Sequence, residues 1–208
     1  MKLFGVIPAR TLVRAVLSVW LALMVAGCVP TAENPIVTDG PKTDKDIVGT
    51  WHGTTDDGAS LYMHVLKRND DQLGVILVIS NDEADARDEW AAFRIVTAQV
   101  GEQRYMSALW DLNDGEPVKG REVGYHLLRY SLEPDGSLAI VQVNEEKLVA
   151  AVRDGLIAGK IENTDWNEEV RVTASSQELV AYLKTINPDD LFDRPFGRFK
   201  LVDKSAAP

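Results

Sequence analysis

From about residue 47 to 203 the chain alternates short apolar runs with polar turn chemistry. That spacing suits strands and leaves little room for long helices. Leu73–Ile79, LGVILVI, is the most strand-like run. Ala59–Lys67 sets Leu61, Met63 and Val65 against Tyr62, His64 and Leu66, so both faces are fairly apolar, as in a strand covered on both sides. Ile47–Thr55 precedes a turn signal at Asp56-Asp57-Gly58, and Asn69-Asp70-Asp71 makes another. Trp90–Gln99 and Arg104–Leu112 flank Gly101-Glu102-Gln103 as a hairpin. Tyr125–Leu132 and Ser137–Val143 flank Pro134-Asp135-Gly136, the clearest hairpin of all. Leu156–Glu162, Glu169–Thr173 and Arg194–Val202 add further strands. The pattern predicts a mainly β body, an antiparallel sandwich or barrel.

Two helices interrupt it. Asn144 caps one that runs to Asp154, with Gly155 as its stop. Ser175-Ser-Gln-Glu178 reads as a capping box, followed by Leu179, Tyr182, Leu183 and Ile186 at helical spacing until Asn187-Pro188.

The first 27 residues are an address. Lys2, Arg10 and Arg14 make a basic start, Ala15–Ala26 is apolar, and Gly27 leads into Cys28, the only cysteine. The apolar stretch is too short for a helix that must cross about 30 Å of hydrocarbon. Val25-Ala26-Gly27-Cys28 resembles the lipobox of bacterial lipoproteins. The resemblance implies that Cys28 is acylated, palmitate-type chains included, and becomes the mature N-terminus; several such chains hold a protein stably. Val29, where an Asp in Gram-negative lipoproteins usually means inner-membrane retention, implies the outer membrane, periplasmic face, if the cell is Gram-negative.

Lys and Arg number 22 against 32 Asp and Glu, and loss of residues 1–27 removes three basic residues, so 19 − 32 leaves the mature chain at −13. This excludes a general nucleic-acid binder, which needs positive charge to displace counterions. Such a surface also repels anionic lipid headgroups. Residues 28–46 read as the acylated cysteine and a flexible tether, with Pro30, Pro35, Gly40 and Pro41 and no apolar periodicity. Fully extended, the tether spans roughly 60 Å. Residues 47–203 then form one domain, and 204–208 a tail.

Ile47-Val-Gly49-Thr-Trp51 resembles the opening motif of lipocalin-like barrels. The resemblance implies a barrel of about eight strands with one or two short helices. It implies that Gly49 lets the chain turn into the barrel and Trp51 closes its narrow end. A basic residue of the last strand, Arg198 in preference to Lys200, then lies over the indole, where cation–π attraction is worth about 0.5–2 kcal/mol. The usual second lipocalin motif, Thr-Asp with a Tyr two residues on, is absent. The order of strands, the late capped helix and the Asp190–Pro195 ending also resemble a group of uncharacterised bacterial proteins with no known activity.

No nucleophile elbow, phosphate loop or calcium register is present. His52, His64 and His126 fall on different strands without metal-ligand spacing, so neither a metal nor a cofactor is implied. No catalytic constellation can be picked out, and the chain reads as a non-catalytic protein. On 125–132, His126, Leu128 and Tyr130 share one face while Leu127 and Arg129 share the other. His126, Tyr130 and Arg129 are therefore the candidate cavity or rim residues, with Arg129 at a rim or in a structural ion pair. Two functions fit. The first is an envelope lipoprotein, membrane-held by acyl chains, that binds a small apolar or amphipathic ligand in a barrel cavity. The second is a scaffolding lipoprotein with a filled barrel and a protein partner in the envelope.

Overall fold

Eight of the apolar runs pair edge to edge until the sheet meets itself. The computed structural model describes residues 30–40, 42–54, 60–80, 88–119, 123–163 and 168–204. The ring consists of β2 (Gly49–Thr54), β3 (Ser60–Lys67), β4 (Leu73–Ser80), β5 (Glu89–Val100), β6 (Gln103–Asn113), β8 (Tyr125–Leu132), β9 (Leu138–Gln142) and β12 (Arg194–Asp203). Consecutive members are all antiparallel, β6 pairs with β8, and β12 returns to β2, so the barrel is closed. Eight strands leave an interior that side chains can fill. A minimal strand β7 (Glu116–Pro117) hangs on the end of β6.

The two ends of the barrel differ. Strands β3 and β4, β5 and β6, and β8 and β9 are joined by short turns at one end, the base. The opposite ends of these strands, where β2, β4, β6 and β9 finish and β3, β5, β8 and β12 begin, form the mouth. The Asp56-Asp57-Gly58 turn and most of the charged 81–89 loop are outside the described residues, as are the address segment and Cys28.

The segment expected as a tether is built into the body, which is a correction to the sequence reading. Thr31–Ala32 forms β1, antiparallel to β8 and parallel to β11 (Glu168–Val172), which pairs in turn with β10 (Gly159–Asn163). Ala32 is fully buried and Ile36 nearly so. The Ile36 N–H donates to the Ser107 hydroxyl at 2.9 Å, and the Thr97 N–H to the Lys42 carbonyl at 2.8 Å. This strap runs down the outer wall to a 3-10 turn, Lys45–Ile47, at the base. Strand β8 is thereby shared: residues 128–132 pair with β9, and 125–126 with β1.

Two cores result. The lumen holds Trp51, Val65, Leu73, Tyr130, Leu138 and Phe199 with their neighbours. The second core lies on the outer wall of β5, β6 and β8, where Ala98, Tyr105 and Leu127 are covered by the strap, the β10–β11 ribbon and three helices. Those helices are α1 (Glu145–Arg153), α2 (Ser176–Leu183) and α3 (Pro188–Leu191), one more than expected. Asn144 and the complete Ser175–Glu178 capping box start the first two as their sequences foretell. Asn187-Pro188, read as a stop, instead starts α3 with proline in its first turn, where no N–H is needed.

Candidate functional site

The base is sealed by residues the Gly-x-Trp motif brings in. Trp51 is buried in the lumen, and its Nε1–H donates to the Ile47 carbonyl at 2.8 Å, tying the indole to the 3-10 turn. Gly49 has φ +147, and a Cβ there would lie 2.7 Å from the Asp203 carbonyl. The glycine lets the end of β12 approach β2. Tyr130 also belongs to this plug. Its hydroxyl donates to Asp44 at 2.8 Å, and Arg104 reaches the same carboxylate at 3.3 Å. Burial first, and the Asp44 carboxylate beside it, push the Tyr130 hydroxyl well above its usual range. Tyr130, a candidate cavity or rim residue from its sequence position, is buried in the lumen core at the base.

Arg198 does not lie across Trp51. It sits on the outer face, its guanidinium donating to the Ser137 hydroxyl at 3.0 Å with Asp135 at 3.8 Å. The register shifts between Pro195 and Gly197, so Phe196 and Phe199, three residues apart, both join the lumen core and Arg198 turns outward. Arg129 is a structural pair: it donates to Asp189 at 2.6 Å and clasps α3 to the wall.

Towards the mouth the lumen wall remains apolar. Leu77, Ile79, Phe93 and Phe196 pack on the lumen core while staying partly exposed. Phe93 stacks on Trp110 with ring centroids 5.9 Å apart. Among these apolar walls, on the same face as Leu128 and Tyr130, is His126. Its Nδ1 is the buried side-chain polar atom left without a hydrogen-bond partner among the described residues. Burial drives its pKa down to about 4, so the ring is neutral near pH 7. A neutral imidazole with a free nitrogen can take one hydrogen bond from, or give one to, the polar end of a mostly apolar guest. A buried polar group left unmatched costs about 1–3 kcal/mol, which such a guest relieves.

The depressed pKa has a pH consequence. Between pH 6.5 and 4 the unfolded chain binds a proton at His126 that the folded chain refuses, so this residue's contribution to stability falls as pH falls through that window. Glu145, at the start of α1, acts in the opposite sense: burial chiefly, then Glu169 and Glu146 against the pull of Arg194, raises it to about 7, and stability is lost as pH rises from 4.5 to 7. The His126→Leu variant separates the two. Urea titrations should show wild type losing about 3 kcal/mol more than the variant between pH 7 and pH 3.5. Parallel pH profiles would remove His126 from the lumen.

His52 and His64 are on the outer wall, His52 against the Tyr62 ring at 4.7 Å and His64 Nδ1 3.1 Å from the Thr50 hydroxyl. No group of three or more metal-ligating side chains forms among the described residues. Two grooves open outside the lumen. One, about 630 Å³, lies between the strap and the β3–β4 turn, with Val37, Val96 and Tyr125 as its apolar part and Lys42, Asp70 and Asp71 on its rim. The other, about 470 Å³, separates the end of α1 from the start of α2 around Leu156.

Sequence reasoning missed Leu77, Ile79, Phe93 and Phe196 as mouth residues. The signal was present in the order of the strands, because hairpins that turn at the base put the opposite end of every strand at the mouth. No protein-family model, curated protein or solved structure matches this chain.

Proposed function

We propose that this chain is a lipid-anchored protein of the cell envelope that holds a small amphipathic molecule at the mouth of a lipocalin-like barrel and carries out no catalysis. What supports the ligand is the upper lumen, where His126 carries an unpartnered Nδ1 and half-buried Leu77, Ile79, Phe93 and Phe196 pack on the lumen core. Apolar sites with one or two placed polar groups are the usual small-molecule sites. The anchor rests on the lipobox-like Val25–Cys28, and in a Gram-negative cell Val29 favours the outer membrane, periplasmic side. The packed base limits the site to the upper barrel, so the guest is short or leaves its tail outside.

The test is native mass spectrometry of the full acylated chain, released gently and then offered palmitic acid. A body cut at residue 40 would lack Ala32 and Ile36 and is unsuitable. A reproducible adduct, weakened about tenfold in His126→Leu by loss of one hydrogen bond worth about 1.4 kcal/mol, supports the reading. A bare mass from several preparations, with no palmitate adduct, sinks it. The scaffold reading would then lead, favoured by the lumen packing of Trp51, Leu138 and Phe199.

A further inference from the structure

The sheet does not end where the barrel closes. Beyond β8 it continues through β1 and β11 to β10, and among the described residues β10 has no strand on its other side. Two bonds show which way its backbone groups point. The Thr173 N–H donates to the Ala158 carbonyl at 3.0 Å, so that level of the ribbon is a hydrogen-bonded pair. At the next level the Val172 carbonyl faces away from β10 and accepts from the Glu33 N–H at 2.9 Å. Such levels alternate along an antiparallel pair. Lys160 with Arg171 and Glu162 with Glu169 are therefore hydrogen-bonded levels. The backbone N–H and C=O groups of Gly159, Ile161 and Asn163 point out of the sheet, and an edge of this kind is a template for another strand.

The side chains of β10 divide by face. Ile161 packs on the outer core, while Lys160 and Glu162 are exposed. A lysine often guards an edge against pairing. This one does not guard β10 against a copy of itself. When two β10 strands lie antiparallel about a two-fold axis at Ile161, Ile161 meets Ile161 of the other copy and Gly159 meets Asn163. Both kinds of pair use the outward backbone groups. Lys160 of each copy meets Glu162 of the other at the closer, non-hydrogen-bonded level, where opposite charges attract across strands.

We propose that this edge joins two copies of the chain by antiparallel β10–β10 pairing centred on Ile161. The charge order selects the occupant, because each strand carries both signs in the positions the other requires, as a two-fold interface demands. Elsewhere a formal net charge of −10 sets the two copies against each other. Five residues a side make a small contact, so the dimer is weak and forms with rising concentration.

Sedimentation equilibrium of the full chain in a density-matched detergent, from about 10 μM to about 1 mM, covers contacts of this strength. Wild type should pass from monomer to dimer across that range. Lys160→Glu and, separately, Glu162→Lys should each weaken the dimer at least about tenfold, because two attractive pairs become repulsive. Each change places opposite signs across the β10–β11 ribbon, so neither should unfold it, and thermal melts check this. The two variants mixed should dimerise with each other as well as wild type does, and the double variant with itself. A monomer at every concentration overturns the proposal and leaves the edge to a different chain. So does a dimer indifferent to these charges, or a mixture of the two variants that stays monomeric.

Discussion

Trp51→Ala should lower the melting temperature by about 10 °C, the largest loss from any single truncation in the lumen. The indole is 1% exposed and fills the base from β2 to the 3-10 turn. Truncating a buried aromatic of this size costs about 3–5 kcal/mol, the lost transfer energy plus the cavity left behind. In a chain of this length each kcal/mol shifts the midpoint by roughly 2–4 °C. Trp51→Phe keeps most of the bulk but leaves the Ile47 carbonyl without its donor, so its loss should be about a third as large. Thermal unfolding followed by near-UV circular dichroism reads both. Equal losses would mean that the hydrogen bond, not the volume, secures the base.

Ala32→Asp should be comparably damaging for a different reason. Ala32 has no exposed surface, lies between β8 and β11, and packs in the outer core with Val172. A carboxylate placed there has no partner, and such burial costs several kcal/mol. Ile36→Ala, a little further along, should cost about 2–5 kcal/mol as an ordinary cavity. In hydrogen exchange, the Ala32→Asp variant should lose protection in β11 and α2 first while β2–β4 stay protected. Wild-type urea midpoints for both variants would restore the tether.

The difference between the strap and the barrel strands shows what could be read in advance. Barrel strands repeat: Leu61, Met63 and Val65, or Leu73, Val75 and Leu77, announce a buried face by themselves. Caps and turns are equally local, and the Ser175–Glu178 box and Gly136 at φ +79 appear where the sequence places them. The strap has no such repetition. Ala32, Ile36 and Ile47 are isolated apolar residues, β1 is two residues long, and much of its hold comes from single bonds to distant partners such as Ser107, 71 residues away. The choice of Arg198 over Lys200 rested on how well a guanidinium stacks, which says nothing about facing; the register shift near Gly197 turns Arg198 outward. For the site, Trp51 and Gly49 were legible because their motif is contiguous. The mouth was not, because its members come from β4, β5, β8 and β12, and only closure of the ring places them together.

The seam of the ring joins its first and last strands. β12 pairs with β2, so Lys200 meets His52 and Leu201 meets Trp51, while Thr31 waits for Arg171. A chain emerging from a ribosome makes β2 early, yet it cannot close the barrel until β12 is out. Long-range pairings of this kind carry the slowest steps of folding, because loop-closure entropy is lost before any contact returns it. Until then both edges of the growing sheet stay open to other chains. The order of synthesis therefore imposes a waiting period in which this protein depends on whatever shields nascent strands on its route.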